Sequence, residues 1–239
     1  MTEGFFRFPR TPHIAWLGEG TPRDDKLLSF VEVQDLLASE LVVEEKLDGA
    51  NLGISVGPDG DLRAQNRGQY LIPPYTGQFE ALGAWIGARE DALFDALGEN
   101  LILFGEWCAA RHSVPYESLP DWLLVFDCYD RAAGRFWSTG RRDALATSLG
   151  LPVAPGLLHG RATLADLKSL VASALSRFRD GPMEGIVIRV ESADWLTARA
   201  KLVRAGFTQS IGEHWSRRGI QWNHRGAPPV RSQRGAAWV

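Results

Sequence analysis

The spacing of apolar and polar residues divides this chain into short strands and a few amphipathic helices. Leu41-Val42-Val43-Glu44-Glu45 reads as a strand ending at Lys46. Leu52 to Val56 and Leu62 to Gln65 flank Gly57-Pro58-Asp59-Gly60, which predicts a hairpin. From Gln78 to Leu97 the apolar positions Phe79, Leu82, Trp85, Ile86, Leu93, Phe94 and Leu97 form a helical stripe with a break near Gly87. Leu101 to Phe104 and Trp122 to Phe126 are continuous apolar runs of the buried-strand kind. Ser138 opens a helix to about Leu149, where Gly150 closes it. Thr163 and Asp166 cap a further helix carrying Leu164, Leu167, Leu170, Val171, Ala174, Leu175 and Phe178, with Gly181-Pro182 after it. Ile186 to Val190 and Ala200 to Val203 are the last strands, and a short helix is expected near residues 212–217. Residues 1–25, rich in Pro, Gly and charge, read as ordered coil or a short strand. Antiparallel strands mixed with helices predict an α+β fold.

Composition narrows the class. The chain has 239 residues, 45% apolar and 23% charged, enough for one large or two small soluble domains. No apolar run is long enough to span a membrane. Met1 to Arg7 lacks the charged-then-apolar pattern of a signal peptide, so a cytoplasmic location is the expectation. Cys108 and Cys128 lie in apolar strands and read as buried, reduced thiols, and the five histidines show no metal-ligand spacing. The net charge of −3 by itself argues against a polyanion partner, but the charge is unevenly distributed. From Arg199 onward there are eight Lys or Arg against the single acid Glu213, so the basic charge gathers at one end. This end is too short for an independent core. The expected organisation is one catalytic domain over residues 1–207 and a short basic extension over 208–239.

Candidate chemistry centres on Glu45-Lys46-Leu47-Asp48-Gly49-Ala50-Asn51. In an extended chain Lys46 and Asp48 share a side, and Gly49 lets backbone approach a bulky ligand. Arg67-Gly68, Leu103-Phe104-Gly105-Glu106-Trp107, Val125-Phe126-Asp127, Glu184-Gly185-Ile186-Val187-Ile188-Arg189 and Lys201-Leu202-Val203-Arg204 follow in order. Over roughly Leu41 to Phe207 this ordered set resembles the covalent nucleotidyltransferase superfamily of ATP-dependent ligases and capping enzymes. Asn51, five residues after the lysine, is similar to the ATP-dependent RNA ligase family, and within it to the branch that seals duplex RNA. The resemblance implies a nucleotidyltransferase (ATP-grasp-like ligase) domain of mixed antiparallel sheets with flanking helices.

It also implies roles. Lys46 would take AMP from ATP as a phosphoramidate, aided by Asp48 and Lys201 as catalytic residues. Glu45, Asn51, Arg67, Glu106 and Phe126 would join Lys46 and Lys201 in holding the nucleotide, with Phe126 stacked on adenine. Glu184 and Asp127 are the implied Mg2+ or Mn2+ ligands. A free lysine is unprotonated only about one time in 10³ at pH 7, so Lys46 needs its pKa lowered, and Glu44 and Glu45 would oppose this. One departure stands out. Where related ligases often carry a second lysine, two residues after the first, this chain has Val203, with Arg199 and Arg204 nearby. The implied substrate is RNA with 5′-phosphate and 3′-hydroxyl ends, prepared by a partner kinase or phosphatase, with no membrane involved. Alternatives are a DNA ligase or capping activity, and nucleotidyl transfer to a non-RNA acceptor.

Overall fold

Among the described residues ten strands form two antiparallel sheets, and the chain passes from one to the other at the Lys46 motif. The computed structural model describes residues 4–19, 27–210 and 219–226. In chain order the strands are β1 (Leu41–Lys46), β2 (Ala50–Val56), β3 (Leu62–Gln65), β4 (Tyr70–Leu71), β5 (Leu101–Trp107), β6 (Leu123–Asp130), β7 (Arg135–Phe136), β8 (Gly156–Gly160), β9 (Gly185–Glu191) and β10 (Leu196–Val203). The smaller sheet runs β10-β9-β1-β8 and the larger β4-β3-β2-β5-β6-β7. Every ladder pair is antiparallel. The expected α+β class is therefore the observed one.

Each sheet buries one face under helices. Helices α2 (Leu82–Gly87) and α3 (Glu90–Leu97) cover the larger sheet, where Leu82, Trp85, Leu93 and Leu97 pack against Leu52, Ile54 and Leu103. The break in this stripe falls at Ala88-Arg89, one residue beyond Gly87. Helices α1 (Phe30–Leu37) and α5 (Leu164–Ser173) supply Leu36, Leu167 and Val171 to a second core over Leu41, Val43, Ile186 and Ile188. Helix α4 (Thr139–Ser148) starts after Ser138 as expected, and Gly150, with φ +63, ends it. The hairpin after β2 closes through Gly57 N–H to Asp61 O at 2.8 Å, with Gly60 at φ +82.

Three local expectations differ. Helix α1, with a complete Ser29/Glu32 capping box, occupies a stretch that the apolar pattern left unassigned. Strand β8 was likewise unassigned. Helix α5 keeps its Thr163/Asp166 capping box but stops at Ser173, and Ala174 is already extended. Leu175 and Phe178 are therefore not helical: Leu175 is exposed, and Phe178 joins Tyr116 and Leu119 in a different cluster. The helix expected near 212–217 lies outside the described residues. Residues 219–226 are tied to the domain, where buried Asn223 Nδ2 donates to Cys108 O at 2.8 Å and Tyr116 N donates to Asn223 Oδ1 at 2.8 Å.

Candidate active site

A cleft of about 440 Å³ lies between the two sheets. Lys46, Val187, Arg189, Arg199 and Lys201 reach it from the smaller sheet; Asn51, Glu106, Phe126 and Asp127 reach it from the larger. Strand register makes this convergence. Lys46 ends β1 opposite Gly185, so Glu184 stands beside the lysine. Lys201 is opposite Val187 on β9, and Asn51 is opposite Glu106 across β2 and β5.

Lys46 Nζ lies 2.7 Å and 2.8 Å from the two carboxylate oxygens of Glu184, which is 5% exposed. Glu106 Oε1 accepts from Gly49 N at 2.9 Å. A Cβ on Gly49 would stand 2.6 Å from Trp107 O, so only glycine allows this approach. Burial pushes the Lys46 pKa down, but the charges of Glu184, Glu106 and Asp48 outweigh it and hold the group above the ordinary lysine value. Burial also raises Glu184 to about 8 and Glu106 to about 7, with Asp48 adding to both and Lys46 opposing. Three acidic groups therefore crowd one ammonium, and two of them are pushed toward their neutral forms near pH 7. The charges that raise the lysine are therefore not the neighbouring Glu44 and Glu45 expected from sequence. Glu44 is held by Arg142 at 2.7 Å, and Glu45 Oε2 accepts from Arg177 N at 2.9 Å.

Two expected site residues bond elsewhere within the fold. The Asp48 carboxylate accepts from Ser113 N at 2.7 Å and Val114 N at 2.9 Å, while its own N–H donates to Tyr116 Oη at 2.8 Å. It anchors the loop after β5 and does not line the cleft, because the chain turns after Lys46 instead of continuing extended. The Asp127 carboxylate is gripped by Arg189, at 2.8 Å, and by Arg199. With both oxygens in ion pairs, it does not fit the metal role. Arg199 lies over the rings of Phe8 and Phe136 at 4.7 and 5.0 Å, and Val203 is buried.

Glu45, Lys46, Asn51, Arg67, Glu106, Phe126 and Lys201 do line the cleft. Asn51 Oδ1 is buried without a hydrogen-bond partner, a position that a ligand donor would satisfy. Sequence reading missed Phe8, Arg10, Thr11, Gln78, Val187 and Arg189 on the cleft wall. Strand alternation could have found Val187 and Arg189, which share one face of β9. Among the described residues no three acidic, histidine or cysteine side chains form a metal cage. Glu184 remains as a hard oxygen donor among clustered acidic groups, which fits a cation completed by phosphates and water.

A family model described as RNA ligase matches residues 39–203. No curated protein matches the chain. Solved structures do: a Naegleria gruberi RNA ligase mutant with ATP and Mn has a TM-score of 0.55 at 16% identity, over 75% of this chain and 54% of that one. The Naegleria gruberi RNA ligase with PPi gives 0.55 at 18%, over 75% and 56%. A candidate ATP-dependent DNA ligase from Aquifex aeolicus gives 0.53 at 23%, over 85% and 50%. The chain thus spans about half the length of these solved structures, and at such identities the likeness establishes the nucleotidyltransferase fold of ligases. With the family match covering all the strands described above, this chain belongs to the RNA ligase family.

Proposed function

We propose that the chain joins RNA 5′-phosphate and 3′-hydroxyl ends using ATP, with Lys46 as the covalent nucleophile. The observation that carries this reading is Lys46 in the cleft wall, in contact with Glu184, where Asn51, Arg67, Glu106, Phe126 and Lys201 converge. Adenine would stack on Phe126, with Val187 on the opposite sheet as the second apolar contact. Arg67, Glu106 and Asn51 would engage ribose and phosphate. Lys201 would balance charge building on the α-phosphate.

Lys46 Nζ, once deprotonated, attacks the α-phosphorus of ATP. The N–P bond forms, the bond to the bridging oxygen breaks and pyrophosphate leaves. The RNA 5′-phosphate then displaces the lysine, forming a 5′-5′ anhydride with AMP. Finally the 3′-hydroxyl attacks the RNA phosphorus, a phosphodiester forms and AMP leaves. Positioning and charge stabilisation dominate each step. Glu184 would hold Mg2+ or Mn2+, which would supply positive charge against the phosphates and favour the ionised form of Glu184. RNA repair, acting on nicked duplexes, is the proposed setting. The Aquifex match favours one second reading, sealing of DNA ends.

A pulse-chase separates these readings. The chain is labelled with α-labelled ATP, then offered 5′-phosphorylated RNA or DNA, nicked or single-stranded. Label should pass to nicked RNA. Label that moves only to DNA, or stays on the protein with every acceptor, contradicts RNA sealing.

A further inference from the structure

Residues 219–226 follow the span matched by the family model, yet they grip the loop after β5. Arg111 N donates to Gln221 O at 2.8 Å, Asn223 N to Ala109 O at 2.9 Å and His224 N to Tyr116 O at 3.0 Å. Leu119 N donates to His224 O, and Gly226 N to Leu119 O, both at 3.0 Å. Asn223, 3% exposed, is the centre of this docking. Its Oδ1 accepts from Tyr116 N at 2.8 Å, and its Nδ2 donates to Cys108 O at 2.8 Å and to Ala110 O at 3.3 Å. One side chain thus ties the end of β5 to Tyr116 and closes the loop between them. With its acceptor and its amide donors engaged, the side chain has one orientation.

The same loop holds the turn that carries Lys46. Asp48 N donates to Tyr116 Oη at 2.8 Å, and the Asp48 carboxylate accepts from Ser113 N at 2.7 Å and Val114 N at 2.9 Å. Next to it, Gly49 N donates to Glu106 Oε1 at 2.9 Å. The chain just after the nucleophile is therefore fixed by the loop, and the loop is fixed in turn by Asn223. Asn223 and Tyr116 do not line the cleft, so any effect they have on the reaction passes through the Lys46 turn.

We propose that Asn223 is a positioning residue for adenylyl transfer: through Tyr116 and Asp48 it fixes the turn that carries Lys46. The segment beyond the family span is then part of the working active site. This rests on the adenylyl-transfer reading above. In-line attack demands a placed amine, and a misplacement of about 1 Å costs on the order of a hundredfold in rate. Nucleotide binding is spread over Arg67, Glu106 and Phe126, and the Asn223 side chain bonds to none of them. Loss of Asn223 therefore acts on the rate of transfer and spares affinity.

The test compares full chains carrying Asn223→Ala, Tyr116→Phe or both with wild type. Single-turnover self-adenylylation at saturating ATP is read beside equilibrium affinity for an α,β-methylene analogue of ATP that cannot be transferred, with the divalent cation held constant. Asn223→Ala should slow transfer by about tenfold or more while affinity for the analogue changes less than about twofold. Tyr116→Phe keeps the ring, removes the acceptor for Asp48 N and should do the same. The double variant should fall less than about twofold below the slower single variant, because both act through one contact. Val171→Ala, in the core beneath α5, sets the scale of general destabilisation and should keep the wild-type rate. An unchanged rate in Asn223→Ala overturns the proposal; so do equal losses of rate and affinity, losses that multiply in the double variant, or equal slowing by Val171→Ala. If Asn223→Ala does not fold, Tyr116→Phe decides: slowed transfer at unchanged affinity upholds the proposal, and a wild-type rate overturns it. Wild type that forms no adenylate would instead sink the adenylyl-transfer reading itself.

Discussion

Gly185 is where the candidate site is most sensitive to one methyl group. It pairs with Lys46 on one side and Val203 on the other, so three strands meet at it. A Cβ there would lie 2.3 Å from Leu202 O, 2.9 Å from Val203 Cα and 3.2 Å from Leu202 C. All three are backbone atoms, so no side chain can swing aside, and β10 must retreat by about 1 Å to reach ordinary contact. Overpacking of this kind costs about 1–3 kcal/mol, and a lost ladder hydrogen bond adds about 1 kcal/mol. Gly185→Ala should therefore lose about 2–4 kcal/mol from a domain stability of about 5–15 kcal/mol. The control is Gly156→Ala on β8, at the far edge of the same sheet, where an added Cβ meets nothing within 4 Å. It should stay within about 0.5 kcal/mol of wild type. Urea unfolding at pH 7 measures both, with the midpoint shifting and the slope constant. Gly185→Ala as stable as wild type, or both variants equally damaged, would refute the argument from strand spacing.

Other outcomes follow from the buried charges. Glu106 rises from 4.5 to about 7 in the fold, so its neutral form is favoured there. That contribution is present below pH 4.5 and lost as pH rises through 7; Glu106→Gln, which keeps an acceptor for Gly49 N–H, should be more stable at pH 8 by on the order of 3 kcal/mol, read from denaturant unfolding at pH 4.5 and 8. Asp127→Ala leaves Arg189 and Arg199 without their shared partner and should cost about 3–5 kcal/mol with no divalent cation present. Unchanged stability under those conditions would return Asp127 to the metal role. Lys46 is held above its ordinary pKa with Glu184 the largest raising influence, so the rate of protein adenylylation should climb above pH 7. Glu184→Gln should move that profile toward lower pH whatever its amplitude, and single-turnover rates from pH 6 to 10 would show it; an unmoved profile contradicts the pairing.

Much of this was legible in the sequence, and the exceptions have physical causes. Strands β1, β2, β5, β6, β9 and β10 show as apolar runs because each is buried on at least one face. Helix α1 carries Val33, Leu36 and Leu37 at helical spacing, but Phe30 and Val31 at its start are exposed, 78% and 64%, so its apolar residues do not all sort onto the buried face. The Ser29-to-Glu32 spacing was the signal available. Helix α5 was read too long because Leu175 and Phe178 keep the helical period, and nothing local says that Phe178 belongs to another core. Ordered motifs brought most cleft residues together on paper. The grip of Arg189 and Arg199 on Asp127 was not readable, since it joins residues more than sixty positions apart and leaves no periodic trace. Asp48 lies off the cleft wall for a simpler reason: the strand ends at Lys46, so alternation does not carry past it.

The central claim is that one amine in the cleft bonds covalently to adenylate. The direct measurement is intact-protein and peptide mass spectrometry after incubation with ATP and Mg2+ or Mn2+. The account expects a single AMP increment, on the peptide carrying Lys46, absent from Lys46→Ala and reversed by added pyrophosphate. A folded chain that gains no AMP, or gains it on another residue, would contradict the account.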